Sequence, residues 1–103
     1  MTGSVTGQIR FYRQGKNVMA IFDLTFTSIL SDSSPVFMLP SDFPSGYEPV
    51  ASFQKSVCIA NFGYMGKAMG YLYYNVVSGL SVKDYNNVGV NKTLYDTVFY
   101  MAK

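Results

Sequence analysis

Apolar and polar residues alternate with a period of two along most of the chain, which is typical of β-strands that bury one face. Val5, Ile9 and Phe11 share one face of the first segment, and the even-numbered positions of 18–26 share one face of the next. Between them, residues 14–17 read Gln-Gly-Lys-Asn, and the glycine suits a tight connection. The first thirty residues therefore predict a long β-hairpin.

The rest of the chain predicts more strands, separated by turn residues. A short strand is expected at 36–39, with further strands at 51–61, 68–77, 80–84 and 94–101. Three prolines between positions 40 and 49 remove backbone donors, so that segment is predicted to be an ordered loop. About seven or eight strands without a helical stripe predict an all-β fold, an antiparallel β-sandwich or barrel of jelly-roll-like or Greek-key type. The pattern leaves sandwich and barrel both open.

Length and composition indicate one folded domain, residues 1–103. Hydrophobic residues make up 49% of the chain and charged residues 14%, which is the reverse of the balance that disorder requires. This apolar content has two interpretations that the sequence does not separate. It indicates either a surface buried between subunits or a core that is rich in aromatic residues.

The charge pattern and the single cysteine exclude several classes of protein. The net charge of +2 comes from scattered basic residues, whereas nucleic-acid binding usually requires a basic patch. No apolar run reaches the length of a membrane span, and the polar N-terminus lacks the layout of a signal peptide. Cys58 is the only cysteine and is predicted to be a small buried side chain, which fits folding in a cytoplasm.

The residue types needed for catalysis are scarce, so we expect no enzymatic activity. The chain has no histidine, which removes the commonest general base and metal ligand. Cys58 lacks a histidine partner that could activate it as a nucleophile. Nothing pairs the acidic residues for carboxylate chemistry, and each is predicted to be a solvated surface residue. They are Asp23, Asp32, Asp42, Glu48, Asp84 and Asp96. No cofactor or metal is expected.

One arrangement is more specific than alternation. The hairpin from Gly7 to Asp23 leads to an apolar run that ends in Leu39-Pro40, and Ser45-Gly46-Tyr47-Glu48-Pro49 follows before further strands. This order resembles the C-terminal head domains of bacteriophage tail-fibre and baseplate receptor-binding proteins, those of phages of lactococci and related Gram-positive bacteria most closely. In that family Leu-Pro and Gly-aromatic-x-Pro form one compact unit, whereas residues 41–44 separate them here.

The resemblance implies a function, a partner and an assembly. A head domain of this kind is a homotrimeric β-sandwich or barrel that recognises saccharides on the bacterial surface during adsorption, without catalysis. Its other partners are phage tail proteins, and it works in the virion at the tail tip after folding in the host cytoplasm. Neither nucleic acid nor membrane insertion is implied.

The polar loop before the last strand is the first candidate for saccharide binding, because binding residues usually lie on loops of a rigid scaffold. In that interpretation the Tyr85 ring stacks on a sugar, while amides and one carboxylate bond its hydroxyls. These residues are Asp84, Tyr85, Asn86, Asn87 and Asn91. The alternative is that they only supply turn geometry. A second candidate is the glycine-rich turn with Asn61, Tyr64 and Lys67.

Two other functions fit the same pattern. One is a structural trimeric fibre knob or assembly module of the virion without affinity for saccharide. The other is a free-standing carbohydrate-binding module, which would be a monomer and would usually carry an exposed tryptophan or a calcium site. The chain has no tryptophan.

Overall fold

The structure, a computed structural model, describes residues 5–26, 36–61, 67–84 and 92–103. Six strands account for most of these residues. They are β1 (Val5–Gln14), β2 (Asn17–Phe26), β3 (Phe53–Asn61), β4 (Lys67–Asn75), β5 (Gly79–Asp84) and β6 (Lys92–Met101). The described part contains no α-helix, only one 3₁₀ turn at Pro40–Asp42. None of its helical segments is long and apolar enough to cross a membrane.

All six strands belong to one antiparallel sheet in the order β1-β2-β6-β3-β4-β5. The last strand therefore returns to the middle of the sheet, between the first hairpin and the β3–β5 meander. The sheet curls into a half-barrel. The prediction of an all-β antiparallel fold is confirmed, while the described strands form a single curled sheet and not two stacked ones.

The first hairpin is confirmed in detail. β1 and β2 pair along their whole length, from Val5 opposite Phe26 to Gln14 opposite Asn17. Gly15 lies in the two-residue turn with φ of 62°, a left-handed conformation that glycine adopts without steric cost. The sequence pattern of 14–17 thus sets the register of the ten-residue ladder.

The short strand predicted at 36–39 is wrong in extent. This segment forms only an isolated bridge between Met38 and Leu80 of β5. The Leu80 amide donates a hydrogen bond to the Met38 carbonyl at 2.8 Å. Pro40 follows at once and begins the 3₁₀ turn. Because proline lacks an N–H and fixes φ, the chain leaves the edge of the sheet there.

The inner, concave face of the sheet carries the core. Side chains of alternate residues on every strand point inward, and those of Phe22, Leu24, Ile59, Leu72, Leu80 and Leu94 are almost fully buried. On β3 the odd-numbered residues face inward, so Cys58 lies on the outer face and is half-buried. The prediction that Cys58 is a small buried side chain is therefore wrong, because its neighbours Val57 and Ile59 take the inward positions.

The proline-rich segment between the 3₁₀ turn and β3 is an ordered loop, as predicted, and it closes one end of the half-barrel. Phe43 is buried against the rings of Phe11, Tyr74 and Tyr100 at centroid distances of 5.9, 5.5 and 6.4 Å. Further along the loop Pro49 pairs with Ala102 beyond the end of β6. The loop is held by apolar burial together with backbone pairing.

Candidate functional site

β3 and β6 pair over only a short distance before the ladder between them stops. Their register pairs Asn61 with Lys92 and ends at Ile59 opposite Leu94. At the far end of β6 the Met101 carbonyl accepts a hydrogen bond from Val50, in the loop before β3, at 2.9 Å. We call the interval between these two closures, residues 53–58 of β3 facing residues 95–100 of β6, the slit.

A carboxylate occupies the closed end of the slit. Oδ2 of Asp96 accepts a hydrogen bond from the Cys58 amide at 2.9 Å, and Oδ1 accepts one from the Thr97 amide at 2.8 Å. In a continued antiparallel ladder Cys58 would bond to the backbone of Tyr95 instead. The Asp96 side chain therefore accepts from the amide that a continued ladder would have paired with Tyr95.

A cavity of about 500 Å³ lies along the open part of the slit. Phe53 and Tyr100 line it with rings that stack across the slit on the inner side, 5.7 Å apart and 16° from parallel. Phe99 stands at its outer rim and is 63% exposed. The cavity therefore offers two kinds of aromatic surface, a stacked pair and a single protruding ring.

The rim also carries polar groups. Asn17, Ser52 and Lys55 line the same cavity. Asn17 offers an amide that both donates and accepts, and Lys55 offers an ammonium group that donates. Among the described residues Lys55 has no ion-pair or hydrogen-bond partner, whereas Lys103 is paired with Glu48 at 3.1 Å. Lys55 therefore leaves one uncompensated positive charge at the rim.

A smaller hollow of about 270 Å³ lies on the other side of Phe99. Its walls include Tyr12 and Met19, which stand in one cross-strand row with Phe99 because Tyr12 is opposite Met19 and Met19 is opposite Phe99. Tyr12 is 51% exposed, so this row presents apolar surface on the outer face. Phe99 separates the two hollows and contributes to both.

Hydrogen bonds fix the residues that surround the stacked pair. The Tyr100 hydroxyl donates to the carbonyl of Tyr47 at 2.6 Å. Burial, with smaller contributions from Tyr74 and Tyr47, raises the pKa of Tyr100 above its usual range, so its hydroxyl stays a donor. The guanidinium of Arg13 donates to the carbonyls of Gly15 and Gly46, which links the hairpin turn to the proline-rich loop before β3.

The neighbouring Tyr74 hydroxyl is buried without a hydrogen-bond partner among the described residues. Burial first, and the Glu48 carboxylate second, raise the pKa of Tyr74. A buried unsatisfied hydroxyl costs about 1–3 kcal/mol, so we expect Tyr74→Phe to leave the free energy of unfolding unchanged or to raise it. Tyr100→Phe removes a satisfied bond and is expected to lower it by about 1 kcal/mol. Urea denaturation of both variants checks this, and a Tyr74→Phe protein less stable than Tyr100→Phe would contradict it.

No protein-family model, curated protein or solved structure matches this chain. The chemistry of the slit therefore rests on the residues that form it. No three His, Cys, Asp or Glu side chains in the described ranges are grouped as metal ligands would be.

The loop residues predicted from the sequence lie mostly outside the described residues. Tyr85, Asn86, Asn87 and Asn91 are among these, so their role stays a prediction. Asp84 is the last residue of β5, with its backbone opposite Gly70 of β4.

The described residues that flank the two candidate sets are the ends of four strands at one end of the sheet. Asn61 ends β3 opposite Lys92, and Lys67 begins β4 opposite Ala60. Tyr64 lies outside the described residues. The topology thus brings the end of β3, the start of β4, the end of β5 and the start of β6 to one end of the half-barrel. The cavity at Phe99 lies toward the other end, about 20–30 Å away along β6 at the rise of a β-strand.

Sequence reasoning missed the slit, although one feature pointed to it. Asp96 has the same parity as Leu94 and Val98, which are buried, so an acidic residue occupies a core position of the alternation. Lys55 does the same on β3 beside the buried Val57. The prediction that every acidic residue is fully solvated is wrong for Asp96, which is half-buried and bonded to two amides.

Proposed function

We propose that this chain is a phage receptor-binding head domain and that it binds bacterial surface saccharide, without catalysis, at the slit between β3 and β6. The observation that carries the proposal is the cavity of about 500 Å³, in which aromatic rings and polar side chains meet. Its size lies within the usual range of small-ligand sites. The Leu39–Pro49 arrangement, resembling that of phage head domains, supports the biological context.

The chemistry of the cavity suits a sugar ring. A pyranose has one face of C–H groups, which packs on an aromatic ring such as Phe99, and a rim of hydroxyls. The Asn17 amide and the Lys55 ammonium stand close enough to the same cavity to meet such hydroxyls. In addition, the polar edges of β3 and β6 face each other across the slit and offer backbone donors and acceptors.

The proposal includes the assembly that the resemblance implies. Three heads in a homotrimer on the virion's tail tip would present three slits together, so modest affinity at each site is amplified through effective concentration. In this view the curled sheet is the core of the expected jelly-roll-like or Greek-key head. Light scattering coupled to size-exclusion chromatography gives the mass of the particle, and a monomer would contradict the trimer.

The test of the site is Phe99→Ala, assayed on an array of bacterial surface saccharides and then by titration of the strongest ligand. We expect the affinity to fall about tenfold, since an aromatic contact contributes about 0.5–1.5 kcal/mol. The melting temperature should change little, because Phe99 is 63% exposed. Unchanged affinity in a folded Phe99→Ala protein would contradict the assignment.

Tyr95→Ala is the matched control. Tyr95 lies on the same strand and the same face, with 61% of its surface exposed, but it lines neither hollow. Its removal should leave affinity unchanged. Tyr85→Ala tests the loop predicted from the sequence. A loss of binding in Tyr85→Ala alone would move the site to residues 84–91 and away from the slit.

A structural fibre knob is the second candidate function. Tyr95, Phe99 and Met101 expose more than half of their surface on the outer face of β6, as a contact with another virion protein would require. This function predicts no saccharide affinity in the wild-type protein. Binding on the array therefore separates the two functions.

A further inference from the structure

We propose that Asp96 is a positioning residue that keeps the slit open by preventing β3 and β6 from pairing. The inference rests on the proposed function only in that the open slit is the binding site. Its structural claim concerns the sheet alone and can be tested without a ligand.

The geometry begins with the direction of the backbone groups. The Cys58 amide points toward β6, since it reaches Asp96, and the Met101 carbonyl points toward the β3 side, since it accepts from Val50. Because these directions alternate along a strand, the backbone N–H and C=O groups of Gln54 and Ser56 also point into the slit from β3. Those of Thr97 and Phe99 point into it from β6. The two strand edges thus face each other with complementary backbone donors and acceptors.

The register of the two strands differs between the two ends of the slit. Ile59 pairs with Leu94 at one end, whereas Pro49 pairs with Ala102 beyond the other, so two more residues lie between these pairs on the β3 side than on the β6 side. The Phe53 and Tyr100 rings stack across the slit between the two ends. At the end where the Ile59–Leu94 ladder stops, the side chain that enters between the strands is that of Asp96.

Asp96 has the right position and chemistry for this role. Its carboxylate binds the Cys58 amide at 2.9 Å and the Thr97 amide at 2.8 Å, and continued pairing would need one donor from each strand at these two positions. The charge also requires solvation, because a half-buried carboxylate is costly to enclose between closed strands. An open slit admits water, or the hydroxyls of a ligand, to the rest of the carboxylate.

The same position explains why an acidic residue stands in the apolar phase of β6. Asp96 is opposite Phe22 of β2, which is almost fully buried, and follows Leu94 by two positions. An apolar residue here would suit the core and would leave the two amides free to pair across the strands. The aspartate lacks that apolar packing, but its carboxylate keeps the two amides occupied and the slit open.

The experiment compares amide hydrogen exchange by NMR in wild-type protein, Asp96→Ala and Asp96→Asn. With the carboxylate removed, β3 and β6 should pair. Exchange at Gln54, Ser56 and Phe99 is then expected to slow about tenfold or more in Asp96→Ala, as pairing protects these amides. Asp96→Asn keeps one acceptor oxygen, so its exchange rates should lie between those of the wild-type protein and those of Asp96→Ala. Asp23→Ala is the control, because Asp23 lies in the same sheet but outside the slit.

The outcomes separate a positioning role from a simple stabilising one. Slower exchange with an unchanged or higher melting temperature, and saccharide affinity at least tenfold weaker, supports the proposal. Faster exchange at these amides, a lower melting temperature or failure of Asp96→Ala to fold would overturn it, since each means that the carboxylate only caps the strands. Wild-type protein that binds no saccharide would refute the proposed function, while the exchange data would still decide the role of Asp96.

Discussion

Gly79→Ala is expected to lower the free energy of unfolding by about 3 kcal/mol, among the largest effects of any single methyl group in this protein. Gly79 begins β5 with φ of 109°, a conformation that residues with a Cβ rarely adopt. A Cβ there would overlap the carbonyl oxygen of Met38 and lie 3.0 Å from Cα of Leu39. That carbonyl cannot move away freely, because it accepts the hydrogen bond from Leu80 that joins residues 36–39 to the sheet.

Gly15→Ala provides the matched comparison. Gly15 also has a positive φ, 62°, but a Cβ there would meet nothing within 4 Å. Its cost should therefore be limited to the left-handed backbone, about 1–2 kcal/mol. Urea denaturation measures both variants on one scale. Equal losses for the two glycines would mean that the contact between Gly79 and the Met38 segment contributes nothing to stability.

Phe43→Ala is expected to have the second large effect, because it should lower both the free energy of unfolding and the affinity of the slit for saccharide. The side chain is 7% exposed and packs on the rings of Phe11, Tyr74 and Tyr100. Removing a buried phenylalanine costs about 3–5 kcal/mol, because a cavity replaces its contacts. Tyr100 also lines the slit, so loss of its support should weaken saccharide binding as well. Thermal unfolding and titration of the saccharide measure the two effects.

Leu39→Ala is the matched control for Phe43→Ala. Leu39 precedes the 3₁₀ turn and is 53% exposed, so its truncation should change the free energy of unfolding by about 0.5 kcal/mol or less. If Leu39→Ala destabilises the protein as much as Phe43→Ala, the loop is not held chiefly by the Phe43 ring. If Phe43→Ala weakens stability but not binding, the Tyr100 ring is positioned by Tyr47 and Phe53 alone.

The local elements were predictable because their causes are local. Alternation in 5–26 and the glycine at position 15 predicted the hairpin, its turn and the inward face of each strand. The prolines predicted the loop at 40–49 for the same reason, since each removes a donor at its own position. Predictions were wrong where two local rules competed, as at 36–39, where an apolar run meets Pro40.

The site was less predictable, because its residues come from distant parts of the chain. Asn17, Phe53 and Phe99 meet only after β6 has entered between β2 and β3. The loop at 84–91 attracted attention through its composition, and its binding role stays a prediction. Asp96 was visible as a charge in the apolar phase of a strand, yet without the strand order its partner amides could not be named.

The sequence by itself determined the class of fold, the first hairpin and the inward face of its two strands, because a period of two is read from neighbours a few residues apart. Only the tertiary structure decided that one sheet curls on itself, that the last strand joins its middle, and that β3 and β6 part at Asp96. Those features depend on which strands pair, and the backbone groups at the strand edges are too similar to specify the partner. Burial of the whole inner face favours one strand order, and this burial involves residues from all strands at once.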